Sequence, residues 1–284
     1  MMNNLTLCLK NKVLDLNRPL VMSIINVTPD SFYATSRVGG EDGLVLAVER
    51  AIAEGCDIID LGGYSSRLNA AEVSDEEEIK RVCDALGVIR KRWPNLPISV
   101  DTFRSKVAYE AVKHFDVDII NDISGGQIDV EMFSTVASLN VPYVLMHMRG
   151  TPQNMQQNTI YNNGIVPEML SYFSERIELL RSLGHDKEII IDPGFGFSKT
   201  LEQNYEVMRE LERFLTFNQP LLVGVSRKSM IYKLFDTTPE EALNGTTALN
   251  MFALMHGAHL LRVHDTKAAV ETVKLCEKLK TTTL

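Results

Sequence analysis

The stretch Ile189-Ile190-Ile191-Asp192-Pro193-Gly194-Phe195-Gly196-Phe197-Ser198-Lys199 separates two fold readings. Its continuous apolar, β-branched run suits a parallel strand buried on both faces. An open doubly wound sheet would carry Gly-x-Gly-x-x-Gly after its first strand. No such motif comes after the first apolar run, and Gly194 to Lys199 lacks the third glycine. The same unit, an apolar run, a polar residue and then a helical pattern, recurs along the chain. Eight runs occupy 21–25, 58–61, 98–100, 119–120, 143–146, 189–191, 221–225 and 260–263. Strand and helix alternating eight times predict an α/β fold, the (β/α)8 or TIM barrel.

The intervening segments read as helices. Leu44, Ala47, Val48, Ala51 and Ile52 follow the i, i+3, i+4, i+7, i+8 stripe, closed by Gly55. Ser74-Asp75-Glu76-Glu77 reads as a capping box opening a helix through Ile79, Val82, Leu86 and Ile89, stopped by Pro94. Later helices are expected over 105–115, 130–139, 166–183, 201–214, 240–256 and 267–279. At the N-terminus, Leu5, Leu7 and Leu9 alternate, Lys10-Asn11 turn, and Val13, Leu14 and Leu16 return. That predicts a β-hairpin over 1–17 plugging the barrel's N-terminal mouth. No Pro/Gly/Ser-rich linker divides the chain, so one domain over 1–284 is expected.

The 284 residues are 45% hydrophobic and 23% charged, enough to bury a full core. A net charge of −8 argues against a protein that coats nucleic acid. The apolar runs fall short of the ~20 residues a bilayer requires, and the N-terminal residues do not read as a signal peptide. A cytoplasmic protein with no membrane partner is expected. Cys8, Cys56, Cys83 and Cys276 show no Cys-x-x-Cys spacing and read as reduced, mostly buried thiols.

In such barrels the active site lies at the C-terminal ends of the strands. The residues at the ends of the runs are Asn26, Gly62-Gly63, Asp101, Asn121-Asp122, His147, Asp192, Ser226-Arg227-Lys228, and Arg262 with His264-Asp265. Any one alone is a helix cap or a loop hydrogen bond. Together, Asp101, Asn121 and Asp192 point into one mouth, where crowded carboxylates must be protonated, metal-bound or paired with ligand donors. Arg67, Lys228, Arg262 and His264 supply cations for phosphate oxygens. Asn26, Arg67, Arg262 and His264 belong to the first, second and eighth runs, so they converge in one sector, with no carboxylate among them. The other reading of Arg67 pairs it with Asp30 or Glu72. A nitrogen-rich heterocycle carrying phosphate fits this set, but the spacing leaves the reaction open. His256 and His259 read as structural or surface residues rather than metal ligands, Glu76 to Glu78 as a solvated helix start, and Met146-His147-Met148 as core or pocket wall.

The chain resembles the dihydropteroate synthases. Asn26-Val27-Thr28-Pro29-Asp30-Ser31-Phe32 resembles that family's first signature, and Asp60-Leu61-Gly62-Gly63 with Ser65-Ser66-Arg67 the second. Ser99-Val100-Asp101-Thr102, Asn121-Asp122, Met146-His147-Met148, Asp192-Pro193-Gly194-Phe195-Gly196-Phe197, Ser226-Arg227-Lys228-Ser229 and Arg262-Val263-His264-Asp265 come in the family's order. The resemblance implies a (β/α)8 barrel, usually a homodimer, acting in folate biosynthesis as a transferase and sulfonamide target. Such an enzyme joins 4-aminobenzoate to 6-hydroxymethyl-7,8-dihydropterin diphosphate with Mg2+, releasing diphosphate. It implies that Asp101, Asn121, Asp192, Lys228, Met146 and Phe197 hold the pterin. Asn26, Arg67, Arg262 and His264 would hold the diphosphate, Asn26 also its Mg2+. Ser66, Phe197 and Ser229 would lie near the aminobenzoate.

Two stretches depart from the family pattern. Tyr33-Ala34-Thr35-Ser36-Arg37 stands where many members have Ser-Asp-Gly-Gly, so the family's loop Asp has no clear counterpart. Gly62-Gly63-Tyr64-Ser65-Ser66-Arg67-Leu68-Asn69 stands for Gly-Gly-Glu-Ser-Thr-Arg-Pro-Gly, which keeps a hydroxyl but loses the stiff Pro-Gly turn. Two other readings compete: a pterin-dependent methyltransferase domain, which needs no diphosphate cations, and a noncatalytic pterin-binding relative.

Overall fold

Residues 5–27, 40–64 and 73–281 are described in a computed structural model of the chain. All eight apolar runs become parallel strands of one sheet. They are β3 (Leu20–Asn26), β4 (Ile58–Gly62), β5 (Ile98–Asp101), β6 (Ile119–Asp122), β7 (Tyr143–Met146), β8 (Ile189–Asp192), β9 (Leu222–Val223) and β10 (Leu260–Val263). Neighbours run β8-β7-β6-β5-β4-β3-β10-β9, and the Ile191–Leu221 bridge closes the circle. This is a (β/α)8 barrel, as expected.

Alternate residues of each strand face opposite ways, and two apolar clusters separate them. Val21, Ile59, Val100, Ile120, Leu145, Ile191 and Leu261 pack with the helices. Met22, Ile58, Ile119, Val144, Ile190, Leu222 and Leu260 fill the lower interior with Leu7, Leu9, Leu14 and Leu16. Those leucines belong to the antiparallel hairpin of β1 (Thr6–Cys8) and β2 (Val13–Asp15) and its flanks, so the hairpin plugs the N-terminal mouth as predicted.

The helices are α1 (Glu41–Glu54), α2 (Asp75–Arg92), α3 (Ser105–Phe115), α4 (Met132–Leu139), α5 (Ile165–Ser182), α6 (Leu201–Arg209), α7 (Ser229–Tyr232), α8 (Leu243–Met255) and α9 (Thr266–Thr281). Gly55 ends α1 in the left-handed region, and Ser74 caps α2 by accepting from the Glu77 amide. Several expected boundaries move. The 130–139 helix starts at Met132, because the Asp129 carboxylate holds the Ser105 and Glu131 amides in a turn. The 201–214 helix tightens into a 3-10 turn over Leu211–Phe217, which keeps the apolar stripe. The 240–256 helix splits into a 3-10 turn (Pro239–Glu241) and α8, where Arg227 takes the carbonyls of Pro239 and Glu240. The 221–225 run pairs as strand only over Leu222–Val223, and α7 is too short for its period to show in the sequence. Of the four free cysteines only Cys276 is buried; the other three are half-buried, which corrects the expectation of mostly buried thiols. No described helix is long and apolar enough to cross a membrane.

Leu7 has no exposed surface, whereas Val13, on the same hairpin, is 62% exposed. Leu7→Ala is expected to lower stability by about 2–5 kcal/mol through the cavity it leaves, and Val13→Ala by less than about 0.5 kcal/mol. Urea unfolding of both variants measures the difference, and equal losses would show that the hairpin is not a plug.

Candidate active site

The register that fills the lower interior with aliphatic side chains turns polar one layer up. Ile24, Asp60 and Ser99 are paired across β3, β4 and β5, and Gly62, Asp101 and Asn121 across β4, β5 and β6. Asp60 is hidden in the sequence, where 58–61 reads as one apolar run. Its signal is a carboxylate at an inward position of a buried strand. Asp60 has no exposed surface. Its Oδ2 accepts from Arg262 Nε at 2.6 Å and from Asn121 Nδ2 at 3.0 Å. Arg262 Nη2 donates to Asp101 Oδ2 at 2.5 Å.

Arg262 therefore sits between two carboxylates, Asp60 and Asp101, neither of them among the four residues expected to converge on an anion. The physical reason is its inward position on β10, where an unpaired guanidinium would be prohibitively costly. Burial alone would weaken its hold on its proton; Asp60 and Asp101 outweigh burial and tighten that hold. Burial pushes the Asp101 carboxyl up to about 7, with Arg262 opposing and Asp60, Glu78 and Asp122 adding.

Across the mouth, Asp192 Oδ1 accepts from the Gly194 amide at 2.8 Å. Burial pushes its carboxyl up against the pull of Lys228. Lys228 Nζ donates to the Phe195 carbonyl at 2.6 Å and lies 4.9 Å from the centre of the Phe197 ring. Burial draws Lys228 down to about 8, with Asp192 opposing. Gly194 has φ +67°, and a Cβ there would stand 2.2 Å from the His147 carbonyl oxygen, so only glycine fits this turn.

The loop that carries Phe195 and Phe197 is held by Lys199, a role the sequence pattern also conceals. Lys199 is 3% exposed. Its Nζ donates to the carbonyls of Gly194 (3.0 Å) and Phe197 (2.9 Å) and lies 3.2 Å from His147 Nδ1. His147 thus faces Lys199 and the rings of Tyr161, Tyr172 and Phe173, not the mouth. Burial, Lys199 and Arg149 hold its imidazole well below the usual range, hence neutral. Asp122 also turns away, accepting from Tyr143 Oη at 2.6 Å and from the Ser124 and Gly126 amides. Arg227 and Asp265 pair with each other.

Met146, Phe103, Ile123 and Met148 form an apolar wall with Phe197 and Tyr64 packed against it. Asn26 ends β3 opposite Gly62, where a Cβ would lie 3.1 Å from Asn26 Oδ1. Ser229 opens α7 beside Lys228. Exposed His264 donates its amide to Ser226 Oγ, and its ring Nδ1 meets the same oxygen, each at 3.1 Å. Ser66 and Arg67 lie outside the described residues, as do Asp30, Glu72, the divergent stretch 33–37 and Leu68-Asn69. At the described edges of that segment, Arg104 donates to the Val73 carbonyl, pairs with Asp75 and Glu78, and lies 5.4 Å over the Tyr64 ring. Among the described residues no three His, Cys, Asp or Glu side chains form a metal cluster. His259 is structural, as expected: its ring Nδ1 accepts from the Leu221 amide. A cavity of about 360 Å³ at the opposite end includes Leu9, Lys12, Arg90 and Asp118 in its lining, but Arg90 spends its fork on backbone carbonyls and Asp118.

A family model described as "Pterin binding enzyme" matches residues 22–264. The dihydropteroate synthase of Escherichia coli (strain K12) is 44% identical over 268 residues, 93% of each chain. That of Bacillus subtilis (strain 168) is 40% identical over 263 residues, 92% of this chain and 89% of the relative. Among solved structures, Yersinia pestis dihydropteroate synthase with a sulfonamide drug superposes with a TM-score of 0.91 at 36% identity, covering 98% of this chain and all of that one. The Xanthomonas albilineans dihydropteroate synthase with 4-aminobenzoic acid gives 0.90 at 34% identity, covering 99% and 100%.

Burial draws Lys199 down to about 7, whereas a lysine in the unfolded chain titrates near ~10.4. Between those values the unfolded chain holds a proton that the folded chain lacks, so Lys199 makes stability rise with pH from about 7 to about 10. Lys199→Met is expected to lose this rise. Urea unfolding of both proteins at pH 7, 8 and 9 tests it; parallel pH dependences count against the assignment.

Proposed function

The chain belongs to the pterin-binding enzymes, in the dihydropteroate synthase family of transferases, and on that premise we propose that it joins 6-hydroxymethyl-7,8-dihydropterin diphosphate to 4-aminobenzoate. The products are 7,8-dihydropteroate and diphosphate. The observation that carries this reading is the set of acceptors at inward strand ends, Asp101, Asn121 and Asp192, in one mouth with Lys228 and Arg262.

Asp192 and Asn121 accept from the pterin's N–H groups, Lys228 donates to its ring acceptors, and Met146 and Phe197 pack against it. Phe197, Ser229 and Ser66 flank the aminobenzoate. Asn26, Arg67, Arg262 and His264 take the diphosphate. The bond from the exocyclic carbon to the diphosphate oxygen breaks, and its electron pair leaves with diphosphate. The Asp101 carboxylate stabilises the positive charge left on the pterinylmethyl group. The neutral aromatic amine then attacks that carbon and gives up a proton.

Asn26 offers one hard oxygen near the mouth, and the described residues hold no three-ligand cluster. That donor set suits Mg2+ that takes most of its oxygens from diphosphate and water. Asn26 would hold that ion, which would supply charge neutralisation on the leaving group. The same reading makes the chain a cytoplasmic homodimer, docked through α8 and α9, where Phe252, Met255, Leu275 and Leu279 are exposed. Sulfonamides compete with 4-aminobenzoate in this reading.

Incubation with the pterin diphosphate and labelled 4-aminobenzoate is expected to yield dihydropteroate and diphosphate in equal amounts. Asp192→Ala is expected to abolish turnover and calorimetric pterin binding with an unchanged circular dichroism spectrum. Wild-type affinity in that variant would overturn the pocket assignment, and absence of turnover in the unaltered chain would overturn the reaction.

Ligand N–H groups favour the ionised form of Asp101, whose carboxyl stands at about 7 in the free chain. Binding then releases a proton, so pterin affinity falls as pH drops below about 7 and levels off above it. Calorimetry from pH 6 to 8 measures this, and a flat profile counts against Asp101 as a pterin acceptor.

A further inference from the structure

Asp60 has no assigned ligand contact, yet it touches two residues that do. The side chain has no exposed surface, and its strand neighbours Ile59 and Leu61 are buried aliphatics. Oδ2 receives both Arg262 Nε and Asn121 Nδ2, while Oδ1 has no partner among the described residues; neither does the Oγ of Ser99, its register neighbour on β5. A buried carboxylate left half-paired is a poor device for stability, since well-packed aliphatic side chains in place of a buried ion pair are often as good or better. What it does accomplish is orientation.

An asparagine side chain carries a donor at one end and an acceptor at the other. A carboxylate bound to a guanidinium accepts only, so it tolerates the Asn121 NH2 group and repels its oxygen. With Nδ2 fixed on Asp60, Oδ1 is left for the pocket, and no described residue donates to it. We infer that Asp60 is a positioning residue that sets the Asn121 amide so that this subsite reads an N–H on the ligand. The inference rests on the proposed pterin reading of Asn121. Through Nε the same oxygen also fixes the Arg262 fork, which sends Nη2 to Asp101.

The Asn121 side-chain amide is the direct reporter. In 15N-asparagine-labelled protein it is identified as the pair absent from Asn121→Asp. Its protons are expected to exchange slowly in the unaltered chain, and free exchange there overturns the inference without any change at Asp60.

Three further proteins test the consequence for binding, with 6-hydroxymethylpterin as the calorimetric probe and thermal unfolding as the fold control. Asp60→Leu removes the acceptor and is expected to weaken binding at least about tenfold, the worth of one well-aimed buried hydrogen bond. Asp60→Asn keeps an acceptor, because Arg262 Nε holds the new amide's oxygen where Oδ2 was. It is expected to bind at least about threefold tighter than Asp60→Leu. Asp60→Leu with Asn121→Asp presents an acceptor whichever way residue 121 turns, and is expected to recover affinity over Asp60→Leu alone. Asp60→Leu at full affinity, Asp60→Asn as weak as Asp60→Leu, or a double variant without recovery each overturns the inference. A chain that does not bind the pterin at all overturns the proposed function instead.

Discussion

A guanidinium inside a barrel of aliphatic side chains is the constraint around which the upper half of this molecule is arranged. Arg262 occupies an inward position on β10, and a charge there survives only with counter-charges in contact. Asp60 and Asp101 provide them from β4 and β5, reaching across β3 to the strand on its far side. That requirement ties three strands to one electrostatic centre and fixes their relative height, because a shift of one residue would turn either carboxylate toward the helices. Asn121 is drawn into the same centre through Asp60. Below this layer the interior is lined by aliphatic side chains; above it the strand ends open into the mouth.

The loops above the strands obey a related logic, with polar groups spent on the protein itself so that a few remain for ligands. Asp122, Lys199, Arg227 and Arg104 are all ionisable groups close to the mouth, and all are engaged with loop backbone, carboxylates or a buried hydroxyl. Lys199 shapes the turn that brings the Phe195 carbonyl to Lys228, so a buried amine acts on the pocket through the loop backbone. The small set of groups left facing the mouth is therefore a product of this sorting, not of the overall number of charges near the strand ends.

Much of this was legible in the sequence. Parallel strands buried on both faces need continuous β-branched runs, and all eight runs became strands because they meet that demand. The polar residue after each run marked the mouth. Which way each side chain turns was less legible. His147 and Asp122 lie at the ends of their runs as Asp101 and Asn121 do, yet face the helix layer, since one residue of offset reverses the side. Asp60 escaped because a single carboxylate among Ile58, Ile59 and Leu61 does not break an apolar run, although two other strands' residues depend on it. The partners of Arg262 are 202 and 161 residues away in sequence, a distance over which no local pattern speaks. Helix ends slipped where a side chain from another element captured carbonyls, as Arg227 does before α8.

The hairpin at the closed end bears on how the chain is made. Leu7 and Leu14 precede every barrel strand, yet they pack against a layer that includes Leu222 and Leu260. Those leucines come before the strand residues that cover them, which run from Met22 and Ile58 to Leu222 and Leu260. For most of synthesis the hairpin has no seat, because the ring it closes does not yet exist. Its docking is thus an event of the completed chain, made of contacts with very large sequence separation, and such contacts slow folding and prolong the exposure of apolar surface. The plug is in this sense a latch on the closed ring: its leucines are fully covered only when β9 and β10 have joined the layer that β3 to β8 begin.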